Sequence, residues 1–313
     1  MERVTITTIH TEKNSLIVSG KAKIGLDRQK EDSIQIWSWL NQPFLSKGTK
    51  DNYLRIVRQF FNYHWNIGLK EITTPHVTVF LKSLENKSSS TLNLARSSLS
   101  SLFDHLCRAG YVNVNPVLPI KSKKIYANIE NKILPIESVK RMIAFASGPR
   151  NQLLLKILYF QALRESEVIQ LKPSSFILGE QGRAKLTVMG KGKKPRTIHV
   201  TKKMWEEIQE FILQNDIKTD QFIFSSTESG GLVPLSRQQV FRIVKTTARR
   251  AKIDPLPSPH WFRHSSSRHA LDNGANLFEI SKTLGHSSLA TTQIYLGSTV
   301  SKSNGDYLDL DEV

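Results

Sequence analysis

Cysteine is nearly missing from this chain: Cys107 stands alone among 313 residues, so no internal disulfide can form, and no Cys and His group has the spacing of a zinc site. A reducing compartment suits such a sequence, and neither a metal nor any other cofactor is expected. Long apolar runs are missing too. No stretch of about 18 apolar residues is available to cross a bilayer, and the first residues lack the apolar core of a secretory leader. A cytoplasmic protein without a membrane anchor is the expectation.

Acidic residues are also in short supply, with 27 Asp and Glu against 44 Lys and Arg and a formal net charge of +17. A field of that size favours a polyanion as partner and is far from the balance of a typical metabolic enzyme. A solvated basic tail is excluded by the 39% hydrophobic and 8% aromatic content, which is enough to build a core. Five Trp and long mixed elements also set the chain apart from ribosomal and histone-like packaging proteins. The charge therefore sits on folded structure, and a polyanion is the expected partner.

The length suits two domains. Residues 1–25 read as a polar N-terminal arm, with a β-branched run from Val4 to Thr8. From 26 to 112 the pattern is helical four times over. Ile34, Ile36, Trp37 and Leu40 recur at helix spacing, and Tyr53, Ile56, Val57, Phe60 and Phe61 do so after the start signal at Ser46. A third helix starts at Pro75, and a fourth runs from Thr91 to its stop at Gly110. On this domain Lys47, Lys50, Arg55, Arg58 and Arg96, with Lys82 and Lys87, are candidates for phosphate contacts. Residues 113–134 combine Pro with Lys121, Lys123 and Lys124 and have no periodicity, so they read as a basic linker lying along a phosphate backbone.

A second domain is expected over 135–300, followed by an acidic tail over 301–313. Helices are predicted at Ile136–Ala146, Arg150–Leu163, Lys203–Gln214, Arg237–Lys252, His260–Asn273 and Leu277–Leu284. Strands at Lys185–Val188 and Thr197–Val200 flank a charged turn that carries Lys191, Lys193 and Lys194, the signal of a hairpin. The fold class is thus mainly α: a four-helix domain, then a mixed α/β domain, mostly helical with a small antiparallel sheet.

Three stretches of the second domain stand out: Ala162-Leu163-Arg164-Glu165-Ser166-Glu167, His260-Trp261-Phe262-Arg263-His264 and Leu284-Gly285-His286-Ser287-Ser288. Thr292-Gln293-Ile294-Tyr295 follows the last. Together they resemble the tyrosine recombinase family, the integrases of phages and the Xer and Cre type recombinases. The likeness covers about Pro135 to Tyr295 and, more loosely, the helical domain as the family's core-binding domain. An Arg, Lys, His-x-x-Arg, Gly-His and Tyr in this order is far more specific than any one motif.

The resemblance implies Tyr295 as the nucleophile, Arg164 and Arg263 as the phosphate clamp and His260 as the acceptor of the tyrosine proton. Lys191 would be the general acid for the 5′-hydroxyl, and His286 a hydrogen-bond donor to the phosphate, with Glu167 orienting a cationic or imidazole neighbour. These residue types suit the chemistry. Attack on a phosphodiester passes through a pentavalent phosphorus whose non-bridging oxygens gain charge, and a guanidinium stays ionised and grips two oxygens with a planar fork. His260 and Arg263 are spaced i, i+3, so a helix puts them on one face. The implied reaction leaves a 3′-phosphotyrosyl link that keeps the bond energy, so neither metal nor ATP is needed.

Further implied are a C-shaped clamp on duplex DNA and a homotetramer on two paired sites, with an accessory protein left open. Residues 1–25 are too few for an extra arm-binding domain, so a simpler Xer-like enzyme is expected. The pattern departs from the family at Ala162, where Gly is usual before Leu-Arg, at Trp261, and in the tail with Gly297 and the acidic run from Asp306 to Glu312. Two other readings compete: a non-catalytic DNA-binding regulator of the same fold, and a monomeric type IB topoisomerase.

Overall fold

The computed structural model describes residues 26–64, 66–123, 129–190, 194–226, 232–286 and 288–295. The chain divides into two compact units, residues 1–126 and 127–313.

The first unit is helical throughout its described part: α1 (Leu26–Leu40), α2 (Lys47–Tyr63), α3 (Thr74–Ser83) and α4 (Ser89–Arg108). Its helix starts are capped as the sequence suggests. Ser46 accepts the backbone N–H of Thr49, and Ser88 that of Thr91, each satisfying a donor that the first turn leaves open. The apolar stripes meet in a core of Trp39, Ile56, Phe60, Phe80, Leu99, Leu102, Phe103 and Leu106, where Trp39 stacks on Tyr53 and Phe60 meets Phe80 edge to face. Asp32 ties α1 to the loops beyond it by accepting from the Leu69 backbone N–H (2.9 Å) and the Tyr111 hydroxyl (2.7 Å).

The segment expected as a linker is anchored at both ends. Val117 lies in the first unit's core, and Asn115 donates to Asp104 while accepting the Val117 N–H. Asn93 and Lys123 exchange side-chain and backbone hydrogen bonds. At the far end Leu134 joins the second unit's core and donates its N–H to Ser265. A run without periodicity can still supply single apolar anchors, which is why pattern alone reads it as open chain.

The second unit carries α5 (Ile136–Ala144), α6 (Gly148–Phe160), α7 (Glu165–Val168), α8 (Lys202–Gln214), α9 (Arg237–Arg250), α10 (Pro259–Asp272), α11 (Leu277–Leu284) and α12 (Ala290–Gln293). Its sheet is antiparallel in the order β1 (Phe176–Leu178), β2 (Ala184–Met189), β3 (Pro195–Val200). β2 and β3 form the expected hairpin, with Leu186 opposite Ile198 and Ala184 opposite Val200. Ala184, Leu186 and Val188 alternate inward with exposed residues, as a half-buried strand must. Helix α6 is buried on several sides, through Leu153, Leu154, Leu155, Ile157 and Leu158, and so forms the centre of the unit.

Apart from shifts of a residue or two at element ends and the short helices α7 and α12, which no pattern announced, two details differ from expectation. α6 ends at Phe160 rather than Leu163, because Ala162 takes φ +48 and turns the chain out of the helix. β1 was not foreseen: with three residues and only Phe176 buried, it offers no alternation to detect.

Candidate active site

The site grows from that turn. Leu163 is buried, and Arg164 follows at the N-terminus of the short helix α7. One turn on, Glu167 reaches back: its Oε2 accepts the Arg164 backbone N–H at 2.9 Å, and its Oε1 accepts from Arg164 Nη1 at 2.9 Å. A second guanidinium completes the pairing. Arg196, at the start of β3, donates from Nη1 and Nη2 to the two oxygens of Glu167, both at 2.8 Å, and from Nε to the Thr283 carbonyl at 2.8 Å. Burial alone would push the Glu167 carboxyl up; the hydrogen bonds from Arg196 and Arg164 overcome it and hold it down to about 2. It is ionised at neutral pH.

Helix α10 opens with Ser258 and Pro259, the latter at the first helical position where its missing N–H costs nothing. Arg263 lies in its second turn at 2% exposure. Among the described residues no carboxylate forms an ion pair with it. Nη1 donates to the Ala162 carbonyl at 2.6 Å and Nη2 to the carbonyl of Leu284, the last residue of α11. A helix's final carbonyls are unpaired and carry the negative end of its dipole, a fitting counterpart for a buried cation. Burial and the nearby Arg164 lower Arg263 to about 9, still charged at neutral pH. Ala162 is held in the left-handed region where Gly is the easy residue, and its carbonyl is one of the two that fix Arg263. The departure from the family pattern thus falls on a strained position that the site uses.

α11 ends in Gly285 at φ +64. A Cβ there would lie 2.9 Å from Arg196 Cδ, so glycine serves both the turn and the close approach. His286 comes next: its Nδ1 is 2.8 Å from Thr292 Oγ1 and its Nε2 3.5 Å from Arg263 Nη2. Burial, with Arg263 and Arg164 alongside, lowers its imidazole to about 4, so the ring is neutral. Thr292 is fully buried and accepts the backbone N–H of Tyr295.

Tyr295 is 2% exposed. Burial raises its hydroxyl above the ordinary value, while Arg263, the Ser267 side chain and Arg164 pull the other way, which places the oxygen in the field of both guanidiniums. The ring that touches it is His264, whose Nδ1 lies 2.9 Å from Tyr295 Oη. His260, one turn earlier on α10, is half exposed, with Nε2 3.8 Å from Glu165 Oε2. Its imidazole is lowered, mainly by burial, while Glu165 opposes the shift. Among the expected residues, Arg164, Glu167, Arg263, His286 and Tyr295 form one cluster with His260 at its edge. Lys191, Lys193 and Lys124 lie outside the described residues, as do the arm and the tail.

Two residues were missed. Arg196 carries no local signal, because its partners are 29 and 87 positions away. His264 had one, since it follows Arg263 directly and sits one turn from His260. In the first unit Lys47, Arg55, Lys121 and Lys123 are exposed and Lys50 is partly so, and Lys194 is exposed in the second. Arg96 is engaged instead by the Ile120 carbonyl. Arg58 buries its Nε without a protein partner, in a hollow shared with Asp51, Leu54, Arg55, Gln59 and Asn62. Among the described residues no His, Cys, Asp and Glu are grouped to hold a metal ion, and no helix is long and apolar enough to cross a membrane.

Comparison with known proteins places this geometry in context. Residues 132–302 match the phage integrase family, and residues 38–111 match the phage integrase N-terminal SAM-like domain. A tyrosine recombinase from Pseudothermotoga lettingae is 32% identical over 258 residues, covering 80% of this chain and 88% of that protein. The tyrosine recombinase XerD of Rickettsia bellii is 30% identical over 272 residues, covering 80% and 88%. Among solved structures, the XerH site-specific recombinase bound to difH substrate in a pre-cleavage complex superposes with a TM-score of 0.67 at 22% identity, over 84% of this chain and 79% of that one. A lambda integrase dimer bound to a COC' core site superposes with a TM-score of 0.67 at 19% identity, over 85% and 79%. At those identities the structural likeness speaks for the fold, which is the mainly helical one with a small antiparallel sheet.

Proposed function

The chain belongs to the phage integrase family, and from that membership we propose that it recombines DNA at specific sites by cutting and rejoining strands through Tyr295. Its relatives carry the name tyrosine recombinase, and it is an enzyme of that kind. The observation that carries the assignment of the nucleophile is the position of Tyr295, with its hydroxyl in the combined field of Arg263 and Arg164 and on the ring of His264.

In this reading the scissile phosphate enters between Arg164 and Arg263. Two of the five N–H donors of Arg263 are bound to carbonyls, which fixes its plane before substrate arrives, and the other donors serve the phosphate oxygens. Glu167 holds Arg164 in place from its Arg196 anchor and so takes the orienting role. His286 contributes a donor from Nε2. That requires the proton on Nε2 and Nδ1 accepting from Thr292, an exchange the hydroxyl permits because it both donates and accepts.

Tyr295 Oη attacks phosphorus, its proton passes to His260, and the 5′-hydroxyl leaves with a proton from Lys191. His260 suits the role because its lowered pKa keeps the ring neutral before attack. The product is a 3′-phosphotyrosyl link, which the 5′-hydroxyl of a partner strand reverses without metal or ATP. Lys47, Lys50, Arg55, Arg58, Lys121, Lys123 and Lys124 in the first unit, with Lys193 and Lys194 in the second, are assigned to the DNA backbone. Arg96 is assigned to shaping the 120–123 segment. Four copies on two paired sites, at the nucleoid, complete the reading.

The test is the covalent intermediate. Wild type and Tyr295→Phe are incubated with nicked suicide duplexes drawn from the host genome, without added metal, and run on denaturing gels. A protein–DNA adduct in wild type that is absent from Tyr295→Phe supports the assignment. DNA binding with no adduct on any substrate points to a regulator of the same fold, and relaxation of supercoils without site choice points to a topoisomerase.

A further inference from the structure

The ring of His264 is not among the groups assigned above to the phosphate or to the transferred protons, yet it lies against the oxygen on which the whole reaction depends, Nδ1 to Tyr295 Oη at 2.9 Å, with the Ser267 side chain as a second polar neighbour. We propose that His264 is the positioning residue of the nucleophile, accepting the Tyr295 hydroxyl at Nδ1 and so aiming the oxygen lone pairs into the space between Arg164 and Arg263. The inference rests on the assignment of Tyr295 as nucleophile.

The surroundings support this direction of the hydrogen bond. His264 is partly buried on α10, and the groups that face it are cationic or neutral: His260 and Arg263 on its own helix, Lys132 from the 3-10 turn Glu130–Lys132, His286 beyond α11, and Tyr295 itself. Burial first, then those positive neighbours, hold the imidazole down to about 4. It is therefore neutral throughout the range in which such an enzyme works, and with its single proton on Nε2 the Nδ1 lone pair is free to accept. A phenol tethered only by its ring rotates its O–H freely, whereas a phenol that donates to a fixed acceptor keeps its lone pairs on the opposite side.

The tether is doubly braced. Arg268, one turn further along α10, donates from Nη1 to the Tyr295 backbone carbonyl at 3.1 Å, so both ends of the tyrosine are registered against one helix. His260 and His264 have ring centroids 6.1 Å apart with planes tilted by 30°. One helix thus presents a ring that holds the hydroxyl and, one turn before it, a ring at the solvent edge that takes its proton. The two roles are separable by substitution, because only one of the two rings touches Tyr295 in the resting site.

Three variants test the proposal: His264→Phe keeps a ring and removes the acceptor, His264→Asn restores an acceptor near the Nδ1 position, and Tyr295→Phe provides the blank. Single-turnover adduct formation on a suicide duplex is expected to fall at least tenfold in His264→Phe, with DNA binding unchanged, and to recover most of the way in His264→Asn. Because the wild-type imidazole titrates near pH 4, the rate profile between pH 6 and 9 should keep its shape in His264→Asn. Equal rates in all three His264 forms, or equal losses in Phe and Asn, overturn the proposal, the second because it shows that only the packing of the imidazole mattered. The Tyr295 ring-carbon resonance next to the oxygen, followed in labelled protein without DNA, gives an independent reading. It should move in His264→Phe and return toward its place in His264→Asn, and no movement in the Phe variant also overturns the proposal. If wild type itself forms no adduct, the assignment of the nucleophile has failed, while the resonance still decides whether His264 holds the hydroxyl.

Discussion

The first unit fills its interior with Trp39, Phe60, Phe80 and Phe103 and, among the described residues, buries only His64, Ser98 and Asn115 as polar side chains, whereas the second buries the ionised Arg263 and Glu167 together with Gln161, Thr247, Ser265, Ser267, Ser281 and Thr292. Taking a charge out of water costs several kcal/mol even after relaxation. The second unit accepts that cost around one location, the Arg164–Glu167–Arg196–Arg263 cluster, and fixes each guanidinium with carbonyls or a carboxylate before any substrate arrives. The first unit has an ordinary apolar core and offers its cations at the surface. Both units thus have an apolar core, but preorganised buried charge is gathered in the second alone among the described residues.

The largest effect that would sharpen this contrast is on the apolar side. Phe60→Ala should cost about 3–5 kcal/mol, the usual loss for an enclosed aromatic, and calorimetry should show one unit's transition moving while the other stays. Movement of both would mean that the units do not unfold separately. Next comes Arg263→Lys, which keeps the charge and removes the fork: single-turnover cleavage should fall by about 10²–10³, the cost of one lost transition-state donor set, with DNA affinity nearly unchanged. A lysine variant that cleaves normally would reduce the clamp to simple charge.

Glu167→Gln is the third. The carboxyl titrates at about 2 in the folded chain against an ordinary 4.5. A depressed pKa stabilises the fold above the unfolded value, so the contribution is complete above pH 4.5 and is lost as pH falls toward 2. Wild-type melting temperature should therefore drop steeply across that interval, and the Gln variant should lack the excess drop while being less stable at pH 7. The smallest effect belongs to Ala162→Gly. Relief of the left-handed backbone set against the greater freedom of glycine when unfolded leaves a gain of up to about 1 kcal/mol, read by denaturant titration, with cleavage unaltered.

Much of the architecture was legible because it rests on local periodicity. α4 shows itself through Leu92, Leu99, Leu102, Phe103 and Leu106, and the β2–β3 hairpin through alternation on both sides of a Gly and Lys turn. What escaped depended on tertiary forces. The apolar pattern of α6 continues to Leu163, and alanine is a strong helix former, so nothing local marks the break that Arg263 stabilises by binding the Ala162 carbonyl. At the candidate site the family order pointed to Arg164, Arg263, His286 and Tyr295, which the fold gathers. Arg196 belongs to the cluster only through contacts between β3, α7 and the end of α11. His264 was within reach of the same helix-face argument that paired His260 with Arg263.

Arg196 has a mechanical meaning as well. The β2–β3 arms stay joined up to the hydrogen bond from the Gly190 N–H to the Lys194 carbonyl, and Arg196 stands two residues below, opposite Val188. With its guanidinium bolted to Glu167 and Thr283, it pins the base of the hairpin to α7 and to the end of α11. The same carboxylate holds Arg164, so a shift of β3 that draws Arg196 off Glu167 also loosens Arg164. One carboxylate thus serves as a shared rivet, and the sheet cannot slide at Arg196 without the neighbouring guanidinium feeling it.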